Sequence, residues 1–347
     1  MWLLIAALAI FFSNRNTSES PIPNSQLPTP KSLLSTLYSL LSLLTGYLLI
    51  MAPWLMRNFS VFGAPLAPGG DQMLWLTRYD EIFSYPVGSL TMESWLASGW
   101  SAILQARLWA FKWNLGTVLG VQGGIVLLPL IIFGAWQSRW DERMRLGIFA
   151  WVLTLFIMTI IFPFAGARGS FFHSGAAFQP LWWALAPIGL DKIIVWAARR
   201  RGWPLRQSLR IFRAGMVGMA ILLTGAILWG RVISPSTREQ AWGWGANRYQ
   251  SIEKFISENG APVDAAVIVS NPPGYFSVTE RPALAVPDGD EQAVLAVAER
   301  YGGRYLILES GAVTQGLQSV FDAPEKWDRL EYLGELEGAK IFVIQNQ

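Results

Sequence analysis

Five stretches of the chain carry no charged side chain and are mostly apolar: Ser32–Met56, Trp113–Ser138, Leu146–Ala167, Gly169–Leu190 and Ala214–Gly230. They run for 25, 26, 22, 22 and 17 residues. A helix crosses a hydrocarbon core of about 30 Å with about 20 apolar residues. The stretches therefore predict spanning helices near residues 33–56, 114–136, 146–165, 177–196 and 212–233. A sixth apolar run, residues 1–12, is short for a span and lacks the basic start of a signal peptide. Followed by the polar linker Ser13–Ser32, it reads as the end of a spanning helix that begins before Met1. The chain is then expected to be the later portion of a longer protein; a short signal anchor is the other reading.

A different periodicity marks residues 94–112. Leu96, Trp100, Ile103, Leu104, Leu108 and Phe111 recur at helical spacing, with Ser98, Ser101, Gln105 and Lys112 opposite. Trp95, Trp109 and Trp113 add rings suited to a headgroup layer. This predicts an amphipathic helix lying in the interface or packed on the bundle, within a long loop, 54–112. After Trp244 the elements shorten. Asn247–Asn259 is an amphipathic helix stopped by Gly260, and Ala265–Ser270 a short apolar strand. Asn271-Pro272-Pro273-Gly274 is a turn, Asp290–Tyr301 a helix and Arg304–Glu309 a strand. Leu330–Leu336 and Lys340–Gln345 form a hairpin across Glu337-Gly338. The expected fold class is a polytopic α-helical membrane bundle of about five to six spans. To it are added an interfacial helix (residues 94–112) and a small C-terminal extracytoplasmic α/β domain, with the division at 1–233 and 234–347. The α/β part has no Gly-rich phosphate loop and no nucleophile elbow. Its scattered acids read as a solvated face, so it is expected to be an accessory or recognition domain.

Charge orients this layout. The formal net charge of +3 would suggest a nucleic-acid partner, but it averages two unlike parts. Residues 1–233 carry 18 Lys/Arg and 8 Asp/Glu, whereas residues 234–347 carry 9 and 16. Arg139, Arg143 and Arg145 lie in one inter-span loop and Arg199, Arg200, Arg201, Arg206, Arg210 and Arg213 in another. Two spans separate the loops, and the positive-inside rule places both in the cytoplasm. The loops 54–112 and 166–175 and the domain 234–347 then fall outside, in a multi-pass protein of the cell membrane, with no nucleic-acid partner. The absence of Cys and the single His exclude disulfides, thiolate chemistry, iron–sulfur clusters and any site built on two imidazoles. No cofactor and no metal site is evident, and a divalent metal stays open.

Candidate chemistry concentrates in the outer loops. The first contains Asp71-Gln72-Met73-Leu74-Trp75-Leu76-Thr77-Arg78-Tyr79-Asp80-Glu81, crowding acids, an Arg and aromatics. The second, Phe164–Gly175, sets Arg168 and His173 among small residues that let a ligand approach the backbone. Arg168 offers a planar fork for phosphate. His173 is a phosphate donor, a base, or an interfacial side chain with a satisfied hydrogen bond.

Three stretches carry a resemblance: Ala52–Pro65 (APWLMRNFSVFGAP), Trp75–Pro86 (WLTRYDEIFSYP) and Phe162–Pro187 (FPFAGARGSFFHSGAAFQPLWWALAP). With the tail Asn271–Glu309, they resemble the GT-C membrane glycosyltransferases, in particular bacterial relatives of dolichyl-phosphate-mannose–protein mannosyltransferases. The resemblance implies transfer of a sugar, with inversion, from a polyprenyl-phosphate carrier to a protein, lipid or glycan acceptor outside the membrane. The partners it implies are membrane lipid and the lipid-linked donor. Arg57, Arg78, Arg168 and His173 are then candidates for the lipid phosphate. The principal catalytic carboxylate of that superfamily follows the first span, which here precedes Met1. Asp71, Asp80, Glu81 and His173 are weak catalytic candidates, and the base role passes to none of them. Other readings are a non-catalytic membrane protein whose outer domain binds a partner, and a transporter. Spans almost free of ionisable groups disfavour the transporter.

Overall fold

The computed structural model describes residues 6–7, 10, 30–65, 69–70, 72–234 and 244–345. Most of the apolar run 1–12, most of the linker after it, and Asp71 lie outside the described residues. Among the described residues, four helices are long and apolar enough to cross a membrane: Leu34–Phe62, Glu142–Ile161, Gln179–Arg201 and Leu205–Ile233. With a small C-terminal sheet, they mark a membrane-associated helical protein. Local signals set the helix ends. Asp141 accepts a hydrogen bond from the Met144 amide at 3.0 Å and starts one helix. Gly202, at φ 68°, stops another just after Arg199–Arg201.

The expected span at 114–136 is not one helix. Helix Gly99–Thr117 widens into a five-residue π turn, Val118–Gln122, and then breaks. The chain restarts as Leu128–Gln137, with Pro129 in its first turn. The cause is Gly123-Gly124: Gly124 and the following Ile125 take φ 53° and 55°, left-handed values that end a helix. Ten residues of helix rise only about 15 Å, half of a hydrocarbon core. The expected helix 94–112 is also redrawn, as Met92–Ala97 and Gly99–Thr117 divided at Gly99 (φ 82°). Its buried face is Ile103, Ala106, Ala110 and Asn114, while Trp100, Leu104, Leu108 and Phe111 lie exposed. Small residues pack because they let another backbone come close; the large apolar stripe is left for lipid. The first long helix, Pro30–Phe62, runs six residues past the expected end at Met56, so Arg57 is a helical residue.

The chain forms two compact units, Met1–Leu74 with Trp100–Arg213, and Trp75–Gly99 with Ala214–Gln347. The expected boundary at 233 therefore misses an exchange: segment 75–99 groups with the C-terminal part. In the first unit, helices Leu128–Gln137 and Gln179–Arg201 cross at two glycines. A Cβ on Gly134 would stand 2.2 Å from the Leu185 carbonyl oxygen, and one on Gly189 2.0 Å from that of Leu130. No other residue allows this approach.

In the second unit, helix α1 (Trp244–Glu258) precedes β1 (Ala266–Val269), α2 (Pro272–Thr279), β2 (Ala283–Ala285), α3 (Glu291–Tyr301), β3 (Gly303–Glu309), β4 (Leu330–Leu336) and β5 (Ala339–Ile344). The sheet order is β2-β1-β3-β5-β4; β1 pairs parallel with β2 and β3, and β5 antiparallel with β3 and β4. The expected turn at Asn271–Gly274 instead opens α2, because Asn271 accepts from the Gly274 amide at 3.2 Å and two prolines suit a first helical turn. Alternate residues of β3 face two cores: Leu306 and Leu308 meet Ile268, Val294 and Phe342, while Tyr305 and Ile307 meet Val267, Ile252 and Ile341.

Replacing Gly189 by Ala should lower the thermal midpoint of the detergent-solubilised protein, at about 1–3 kcal/mol of overpacking. Gly218→Ala, where a Cβ meets nothing within 4 Å, should leave it unchanged; equal effects would refute the tight crossing.

Candidate functional site

Between Glu142–Ile161 and Gln179–Arg201 the backbone makes three linked helical turns, Pro163–Ala165, Gly166–Ser170 and Phe171–Ala176. Glycine makes each junction possible. A Cβ on Gly166 would fall 1.8 Å from the Met158 carbonyl oxygen, and one on Gly175 2.0 Å from Gln122 Nε2. Gly169 takes φ 133°, a conformation that L side chains rarely adopt. The turn brings Gly169 beside His173: the imidazole lies so close that a Cβ on Gly169 would be 3.8 Å from its Cδ2 and 3.9 Å from its Nε2. Phe172 meets the imidazole edge-on at 5.3 Å. Arg168 and His173 are both exposed. Arg57 is exposed in the same unit, on its own helix.

Three carboxamides brace this turn from within. Asn114 donates to the Met158 carbonyl at 3.1 Å and to Thr159 Oγ1 at 3.0 Å. Gln179 donates to the carbonyls of Val121 and Gln122 at 3.2 and 3.3 Å. The Trp151 indole donates to Gln122 Oε1 at 2.7 Å. Each carbonyl served lies in a π turn, where the regular helical partner is lost. In apolar surroundings such groups must find another donor. Asn114, Gln122 and Gln179 were not among the sequence candidates; the available signal was three carboxamides within uncharged runs.

Arg78, Asp80 and Glu81 lie in the second unit and have a different setting. Glu81 closes its own turn: Oε2 accepts from the amides of Thr77 and Arg78 at 2.6 and 3.1 Å, and Oε1 from the Thr77 hydroxyl at 2.8 Å. Arg78 donates to Gln315 Oε1 at 2.9 Å and pairs with Asp288 at 3.3 Å. Alongside, the Asp288 amide donates to the Phe83 carbonyl at 3.0 Å, and Tyr85 packs on the α/β core. Burial pushes the Asp288 carboxyl up, Asp80 and Glu81 add to the rise, and Arg78 opposes it. The Arg78 fork thus ties segment 75–99 to the α/β domain, and the Glu81 carboxylate is taken up by backbone donors. Among the described residues, no three His, Asp or Glu side chains are grouped so as to hold a metal.

Compared with known proteins, the chain matches no family model, no curated protein and no solved structure.

Two acids of the α/β domain, half-buried Glu253 and buried Glu309, are partners of buried arginines and not part of a solvated face. Glu253 on α1 receives Nε of Arg281 at 2.8 Å, Nη2 at 2.6 Å and the Tyr275 hydroxyl at 2.9 Å. Arg281, 3% exposed, also donates to the carbonyls of Pro262 and Ala265. Glu309, at the end of β3, pairs with Arg248 of α1 at 3.4 Å, both buried. Burial pushes the Glu309 carboxyl up, against the pull of Arg248. Burial also works to raise the Glu253 carboxyl, but its bonds to Arg281 and Tyr275 win and hold it below the ordinary range.

Glu81→Ala should speed hydrogen exchange at the Thr77 and Arg78 amides at least tenfold, since both lose their acceptor; unchanged exchange would show that the carboxylate does not close the turn. Glu253→Gln should destabilise the α/β unit at pH 7 by about 3 kcal/mol, leaving the Arg281 charge buried without its partner. Because the folded Glu253 carboxyl is depressed, the stabilisation is full above the ordinary Glu range and fades as pH falls below about 4. Thermal midpoints of variant and parent should therefore converge in acid; a constant gap would contradict the assignment.

Proposed function

We propose that this protein is a membrane glycosyltransferase, or the C-terminal portion of one, that moves a sugar from a polyprenyl-phosphate carrier to an extracytoplasmic acceptor. The observation that carries this reading is that Arg168 and His173, both exposed, lie on one glycine-built turn between two long apolar helices. A lipid-linked phosphate needs cations at the edge of an apolar region, and this turn supplies them. The Lys/Arg distribution along the sequence supports an outer position for the turn and the C-terminal domain.

The chemistry follows from charge. When the glycosidic bond to phosphate breaks, negative charge gathers on the leaving phosphate. A guanidinium fork held against it stabilises the transition state more than the ground state. Arg168 has that role, with His173 donating a second hydrogen bond to the same group. Arg57 is a further cation for the carrier. Arg78 gives three of its five donors to Glu81, Asp288 and Gln315, so it holds segment 75–99 as well as being a candidate cation. Glu81 is likewise engaged by the Thr77 and Arg78 amides.

Membranes holding the protein, given radiolabelled polyprenyl-phosphate sugars, should label an envelope acceptor. Arg168→Ala should cut the rate at least tenfold, about 1.4 kcal/mol or more of transition-state stabilisation. Arg168→Lys, which keeps the charge and loses the fork, should lie between. No transfer from any of several sugars would leave a non-catalytic protein whose outer domain binds a partner.

A further inference from the structure

A second feature of the first unit has no part in that reading. An open groove with a volume of about 380 Å³ lies along helix Leu128–Gln137 and is bordered by residues of Glu142–Phe156, Gln179–Arg201 and the π turn at Val118–Gln122. Its walls are the side chains of Leu128, Ile131, Ile132, Ala135, Ile148 and Trp151. From Leu128 to Trp136 the lining helix rises about 12 Å, the length of a slot open along Ile132 and Trp136. Apolar walls of this kind do not hold water. The filler at hand for a membrane helix is hydrocarbon.

One end of the slot is charged. Arg139 lines it, exposed, with its guanidinium 4.7 Å from the Trp136 ring centre and 5.3 Å from that of Trp140. One of its five donors goes to the Trp136 carbonyl at 2.9 Å, which fixes the fork at the mouth. Arg143 and Arg145 follow in the first turn of Glu142–Phe156, also exposed. Two carboxylates share this corner: Asp141, which caps the Met144 amide, and Glu142. Three guanidiniums against two carboxylates leave the mouth positive. Basic mouths of apolar pockets between membrane helices suit acidic lipid head groups.

We infer that this slot holds one hydrocarbon chain of an anionic phospholipid, with the lipid phosphate on the Arg139 fork. The chain fills the space that the broken helix leaves between Leu128–Gln137 and Glu142–Phe156. Arg168 and His173 follow the far end of Glu142–Ile161, whereas Arg139 precedes its near end, so this lipid is separate from the sugar donor.

Native mass spectrometry of the detergent-solubilised full chain, titrated with phosphatidylglycerol or with phosphatidylcholine of the same chains, tests this directly. One phosphatidylglycerol should be retained at a concentration at least tenfold below that needed for phosphatidylcholine, and millimolar inorganic phosphate should not displace it. Arg139→Ala should abolish that preference, and Ala135→Trp, which fills the slot, should abolish retention of either lipid. Arg139 is exposed, so its variant keeps the fold and decides the matter even if the tryptophan variant unfolds. Equal retention of the two lipids, displacement by free phosphate, or unchanged phosphatidylglycerol binding in Arg139→Ala would overturn the proposal. Sugar transfer does not enter the readout, so failure here is distinct from failure of the glycosyltransferase reading.

Discussion

Backbone carbonyls released by broken helices have to be paired again inside an apolar surrounding, and the first unit is arranged around that requirement. The chain abandons regular helix at Val118–Leu127 and again at Ile157–Ser170. At each place a carboxamide arrives from a different helix: Asn114 for Met158, Gln179 for Val121 and Gln122. An unpaired group in such a setting costs several kcal/mol, so these few bonds hold the exposed turn with Arg168 and His173 in place. Irregular backbone in a membrane protein is tolerated where it is re-paired by protein, and irregular backbone is what presents polar groups to a ligand.

The same turn depends on the absence of side chains. At Gly166, Gly175, Gly134 and Gly189 another group sits where a Cβ would be. Close approach shortens the distance between backbones and makes the carboxamide bonds reachable. Packing and polar pairing are therefore one design here: small residues bring the elements in, and Asn and Gln pin them.

Much of the architecture was legible in the sequence. Uncharged runs located the four long apolar helices, because the missing charge is itself the physical requirement. The strands β1, β3, β4 and β5 followed from short apolar or alternating runs between Gly and Pro. What escaped was local. The run 113–138 has no charge, so charge counting joined what Gly123-Gly124 and Pro129 break. The apolar stripe of 94–112 fits either an interfacial or a packed helix, and periodicity does not reveal that the buried contact runs through Ala106 and Ala110. At the site, Arg168 and His173 were visible as an adjacent polar pair in a glycine-rich loop. The fate of Arg78 was not, since its partners Asp288 and Gln315 lie 210 and 237 residues away. Nor were Glu253 and Glu309, whose partners come from other elements of the α/β domain.

The long reach from Arg78 to Asp288 bears on synthesis. Segment 75–99 leaves the ribosome long before α2, β2 and α3 exist. Tyr85 must wait for Tyr301, and Arg78 for Asp288, while the helices between them are made. The second unit therefore closes last, and only once the final strands are made. A nascent chain stopped before Asp288 would leave the Arg78 fork without its distant partners and the Tyr85 ring without the core it packs on.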